Sequence, residues 1–240
     1  MSLMTRREFL GKSLAAAAGG GALLTAGGLT LVRPAAAAIA PGGHVLPPLP
    51  YAYDALRDLS QQLVTWHHDR HFKGYVDGRN AVETALAAMD PTAADFDAKA
   101  YAGLKKQETF HACGQILHEV YFSNLGGDGA AGAEPVAAAL ARDFGSLANW
   151  RADLRAAATA AGIGWGITCW DPSCGRLVNF TVESHQLGAV WGAVPIIALD
   201  CWEHAFYHDY GPDKGKYLDV FFQNLHWGRI DERFRAAGGQ

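Results

Sequence analysis

PIIALDCWEHAFYHDYG (195–211) joins an apolar run to two residues with ligand chemistry: Val194 to Leu199 is rich in β-branched and aliphatic side chains, Asp200 ends it, and His204 follows four residues later. A short run of this composition reads as a buried strand. The segment therefore puts a carboxylate at a strand end and an imidazole just beyond it. Asp-x-x-x-His alone is a weak motif, so its meaning depends on what lies upstream.

Two more runs, WGITCWD (165–171) and RLVNFTVES (176–184), have the same β-branched and aromatic character. With 194–200 they predict a small antiparallel sheet of three strands. The rest reads as helix. Residues 54–83 and 97–125 carry helical periodicity, with Gly126, Gly127 and Gly129 ending the second, and the two predict an antiparallel hairpin. Pro135 to Ala161 reads as helical too. The expected class is α+β: an N-terminal helical hairpin, then an α/β lobe built on the sheet. In the first helix His67, His71 and Tyr75 lie four apart and share a face. Alone, HxxxH is more often a pair of ordinary surface or half-buried histidines than a site.

The chain has 240 residues, half of them hydrophobic, enough for a sizeable core in one domain or two small lobes. Its formal charge of −4 and the lack of any basic face argue against a nucleic-acid partner. No CxxC pair argues for zinc. Cys169 and Cys174 bracket Trp-Asp-Pro-Ser, a tight turn between strands, so this pair reads either as a disulfide or as two free thiols. Cys113 and Cys201 read as small buried residues.

Thr5-Arg6-Arg7-Glu8-Phe9-Leu10-Gly11-Lys12 resembles a twin-arginine (Tat) export signal; a Gly- and Ala-rich apolar stretch follows, then small residues at 35–38. The stretch is too weakly hydrophobic for a membrane anchor. Residues 1–38 are thus expected to be a signal peptide cleaved near Ala38, with the Tat machinery as partner and a periplasmic or extracellular destination. Without them the chain carries 16 basic and 23 acidic residues, or −7. An anionic substrate would have to be drawn in by local positive charge.

LPPLPYAYDAL (46–56), WHHDRHFKGYVDGRNAVE (66–83), FHACGQILHEVYFSNLGGDG (110–129), GIGWGI (162–167), the segment 195–211 and KYLDVFFQNLHW (216–227) together resemble the iron/manganese superoxide dismutases. The resemblance spans roughly 45–235, and D-x-W-E-H-A is its most specific piece. It implies a hairpin domain over 45–130, an α/β domain over 131–235, and a metal site between the lobes. The implied ligands of one Fe or Mn ion per subunit are His67, His118, Asp200 and His204. The implied reaction turns two superoxide anions and two protons into dioxygen and hydrogen peroxide by alternate reduction and oxidation of that ion.

The same resemblance implies Tyr75 as the tyrosine at the substrate channel and His71 as its neighbour. It makes His185 the histidine beside the metal's solvent ligand, with Gln186 as the alternative counterpart and Gly114 the earlier position left without a side chain. Trp165 and Trp202 would line the pocket. Glu203 and Tyr207 would meet the partner subunit of a homodimer or homotetramer. The chain departs from the family pattern at Leu117, where asparagine is common, at Phe122, and at Lys214, which stands where an arginine is expected and lacks its bidentate geometry. The alternative is an exported Fe/Mn-binding protein of this fold with little dismutase activity. A non-haem oxygenase fits less well, because that chemistry prefers two histidines and one carboxylate.

Overall fold

Ser60 starts the first helix: its Oγ accepts the Leu63 N–H (3.1 Å), while its own N–H and hydroxyl donate to Asp209 (2.7 Å each). The computed structural model describes residues 38–188 and 190–239, so the export signal read over 1–38 lies, Ala38 apart, outside the described residues. The helix therefore begins at 61 and not at 54; residues before Ser60 form turns, with Asp58 in the left-handed region at φ 57°. Helix α1 (Gln61–Trp66) passes into a π-helical stretch, His67–Phe72, and resumes as α2 (Lys73–Ala88). Such single π turns recur at functional sites, and this one holds His67, His68 and His71. Helix α3 (Ala98–Asn124), capped by Asp97, packs back against α2 and completes the hairpin.

The region 135–161 is two helices, α4 (Pro135–Phe144) and α5 (Leu147–Ala160). Gly145, at φ 83°, takes the left-handed conformation that stops α4. Ser146 Oγ then accepts the Asn149 N–H (3.0 Å) and opens α5.

Strands β1 (Trp165–Asp171), β2 (Arg176–Val182) and β3 (Val194–Asp200) form an antiparallel sheet in the order β2-β1-β3, with β2 ending two residues earlier than its sequence pattern indicates. The register sets Trp165 opposite Val182 on one side and Asp200 on the other. Ile196 to Asp200 are all buried, because β3 is covered by α3 and by the last helix, α8 (Trp227–Ala236). That two-sided cover explains why β3 reads as a continuous apolar run and not as an alternating one. Asn124, at the end of α3, donates to Ala198 O (3.0 Å), tying the hairpin to the centre of β3.

Between β3 and α8 lie a 3₁₀ turn (Glu203–Ala205), a single-turn helix α6 (Tyr207–Tyr210) and α7 (Lys214–Gln223). Cys169 and Cys174 are free thiols. Cys169 faces Val178 across the ladder and is buried, whereas Cys174 sits exposed in the turn closing the hairpin. No described helix is long and apolar enough to cross a membrane.

Candidate metal centre

The π-helical stretch supplies His67, α3 supplies His118, the end of β3 supplies Asp200, and the 3₁₀ turn supplies His204. One potential ligand atom from each falls within a cluster no more than 4.8 Å across. Asp200 Oδ2 is its hub, 3.1 Å from His204 Nε2, 3.2 Å from His67 Nε2 and 3.6 Å from His118 Nε2. Hairpin and sheet lobe contribute two residues each.

The protonation pattern suits ligation. Burial would raise the Asp200 carboxyl, but His204 and His67 more than offset it and hold the group well below its ordinary value, so it is ionised. Burial pushes His67 down to about 4 and His118 well below 6.5, leaving both neutral. His118 Nδ1–H donates to Gly114 O (2.7 Å), which leaves the Nε2 lone pair bare. The Nε2 atoms of His67 and His118 are buried with no hydrogen-bond partner among the described residues. Stranding two such nitrogens beside a carboxylate costs about 1–3 kcal/mol each. Three imidazole nitrogens and one carboxylate oxygen could offset that cost by holding a first-row metal ion, and the donor set suits iron or manganese.

Around this cluster Trp165 Nε1–H donates to His185 Nδ1 (3.0 Å), and His185 Nε2 lies 2.6 Å from Tyr75 Oη. His185 is buried and is pushed down to about 4 by that burial. Tyr75 is raised to about 12, first by burial and then by the charge of Asp200. Gln186, the other counterpart considered for this position, turns its amide oxygen toward Ser184 Oγ (3.4 Å). Gly114 makes room for the chain of contacts: a Cβ there would stand 2.3 Å from Tyr75 Cδ1. Trp202 stacks on His185 and His204 at ring separations of 5.7 and 6.3 Å, and its Nε1 is buried without a partner.

His71 lies with its ring 3.6 Å from that of His204 and 5.1 Å from that of Tyr75; its Nε2 is buried with no hydrogen-bond partner among the described residues. Glu203 and Tyr207 are both exposed. Leu117 is buried in the core, and Phe122 packs edge-on against His67 at 4.9 Å. Lys214 donates to the carbonyls of Gly162 (2.5 Å) and Ala158 (3.4 Å), so its ammonium closes the end of α5.

Sequence reasoning missed Tyr217, Tyr121 and Phe72. Tyr217 OH donates to the backbone oxygen of Asp200 (2.8 Å) and lies 3.2 Å from Tyr121 OH, fixing the strand end that carries the carboxylate. Tyr121 packs against the His67 ring at 5.0 Å, and Phe72 stacks on His118 at 5.6 Å. Apolar periodicity marks these aromatics as core without revealing what they touch.

Residues 43–126 match the family described as iron/manganese superoxide dismutases, alpha-hairpin domain, and residues 132–233 match the C-terminal domain of the same family. Superoxide dismutase [Mn] 2 of Halobacterium salinarum is 46% identical over 191 residues, covering 78% of this chain and 92% of that protein. Superoxide dismutase [Mn] of Haloarcula marismortui is 44% identical, covering 80% and 94%. Superoxide dismutase [Fe] of Cupriavidus metallidurans is 39% identical over 185 residues, covering 76% and 91%. With both domain matches laid over a hairpin and a sheet lobe that share one histidine–aspartate cluster, the chain belongs to the iron/manganese superoxide dismutase family.

Proposed function

We infer that the protein is an exported superoxide dismutase that works as a dimer or higher oligomer. The observation that carries the dismutase reading is the convergence of His67, His118, Asp200 and His204 within 4.8 Å, two of the imidazole nitrogens being buried and unpartnered. His67, His118, Asp200 and His204 would hold one Fe or Mn ion, which would supply a one-electron couple between its trivalent and divalent states for superoxide dismutation.

The protein's own part is charge and proton control. An indole N–H can only donate, so Nδ1 of His185 accepts from Trp165 and the neutral ring carries its hydrogen on Nε2. That hydrogen points to Tyr75 Oη, leaving the phenol's own proton free for an incoming anion. When Tyr75 gives up its proton, the Nε2–H of His185 stabilises the phenolate left behind. His71, beside both Tyr75 and His204, supports a role in returning the proton from solvent. Buried Trp165 and stacked Trp202 keep bulk water away from these groups.

Oligomerisation is supported by what stands exposed next to the cluster: Glu203 follows Trp202 and precedes His204, Tyr207 is 54% exposed, and Trp66 is 50% exposed with its ring against His208. A partner carboxylate or phenol would meet the unpaired polar atoms here, and a ligating imidazole gains basicity from such an acceptor. Export rests on the arginine pair at 6 and 7 with its apolar sequel, and a route that carries folded proteins suits a site that must take the right metal before crossing.

The test is to purify the protein from its own compartment, weigh its bound metal against chain mass, read its N-terminus, and assay superoxide removal on one sample. About one iron or manganese per chain with fast turnover, and a first residue near 39, is the expected result. Stoichiometric metal with negligible turnover would favour the sequestering protein.

A further inference from the structure

His185 is shared between the metal centre and a second space. It also lines a cavity of about 170 Å³ between α3 and the sheet, walled by Cys113, Leu117, Ile167, Cys169, Phe180 and Ala193 and opening to solvent past exposed Ile116 and Val190. No charged side chain lines it among the described residues. Burial raises the Cys113 thiol and pushes Cys169 up to about 12, so both walls are uncharged at neutral pH. Water gains little from such a lining, since a buried water needs two to four polar partners. A dry, apolar cavity of about 150 Å³ is large enough to bind benzene or xenon. Superoxide, as an anion, has no place in it.

We propose that this cavity is a binding site for one small neutral apolar molecule of about benzene's size, and that an occupant slows superoxide removal by wedging His185 against Tyr75. The ring is held by Trp165 at Nδ1 and by Tyr75 at Nε2, and the cavity is where it has room to rock. Filling that room costs the ring the freedom it needs to follow Tyr75 between phenol and phenolate. Binding rests on the cavity alone, whereas the effect on turnover rests on the role inferred above for His185.

The metal-loaded enzyme is titrated with benzene while two rates are read: modification of Cys113 by methyl methanethiosulfonate, followed by peptide mass spectrometry, and superoxide removal. Exposed Cys174 is the internal control for reagent strength. The expected result is that Cys113 becomes protected, Cys174 does not, and turnover falls at least about five-fold with the same midpoint, the scale of an ordinary coupling between sites. Ala193→Phe fills the cavity and should remove both responses to benzene while lowering basal turnover toward the benzene-saturated rate, since its ring takes the occupant's place beside His185; Cys169→Met serves if that variant does not fold. No protection of Cys113 at saturating benzene overturns the site. Protection with unchanged turnover overturns the coupling through His185. Absent basal turnover in fully metallated enzyme would instead refute the dismutase reading, and Cys113 protection would still report on the cavity.

Discussion

His185 Nε2 and Tyr75 Oη lie 2.6 Å apart, and the Trp165 indole on the other ring nitrogen fixes the histidine as the donor. His185→Leu removes that donor and leaves the Trp165 N–H buried without an acceptor, a stability cost of about 1–3 kcal/mol. Turnover should drop about ten- to hundred-fold with metal content unchanged. His185→Gln keeps a donor and should recover much of the loss. Turnover measured beside bound metal separates the outcomes; equal activity in the Leu variant would remove His185 from the mechanism.

Gly114 is the reason Tyr75 can lie where it does. A methyl at this position meets the Tyr75 ring at 2.3 Å from Cδ1, too close for any rotamer adjustment of a few tenths of an ångström. Overpacking of this kind costs about 1–3 kcal/mol. Gly114→Ala should bind metal normally, melt lower and turn over slowly, because the Tyr75 ring, proposed above to carry the proton, is pushed aside. Retention of full turnover would mean that the Tyr75 position is uncritical.

Much of this centre was readable in the chain, and for a physical reason. Strand β3 is buried on both faces, so its apolar run ends sharply at Asp200, and His204 then follows within one turn. The hairpin was equally plain, since α3 is long and ends in glycines that take positive φ. The start of the first helix was not, because its cap, Ser60, is held by Asp209 from 149 residues away. The π-helical turn at His67–Phe72 left no mark either: his four-residue spacing looks the same whether the intervening turn is α or π. Nor could spacing show that Lys214 spends its charge on the carbonyls of α5, or that Cys174 lies in the turn and away from Cys169.

Acid should loosen the metal-free protein well above the carboxylate range. His67 and His185 are held near 4 and His71 near 3, and His118 is held well below its ordinary value, against 6.5 for a free imidazole, with burial the leading cause for each. In the unfolded chain these rings take up protons as pH falls through 6.5, and in the folded chain they do not. Stability is therefore fully present above about 6.5, falls steadily toward pH 4, and levels off below the folded values. Thermal melts of metal-free protein at pH 7.5, 6 and 5 check this; a constant melting temperature would mean that these rings are not buried neutral without metal.

Tyr217 tests whether the strand end is held from behind. Its hydroxyl donates to the Asp200 carbonyl at 2.8 Å in a fully buried setting, with Tyr121 OH the other neighbour. Tyr217→Phe keeps the ring packing and strands that carbonyl, for a loss of about 1–2 kcal/mol. Metal should still bind, because all four donor atoms remain, but more weakly, since the Asp200 carboxylate is no longer fixed from behind. Competition with a chelator measures the affinity and calorimetry the stability. A lower melting temperature with unaltered metal affinity would make Tyr217 a packing residue alone.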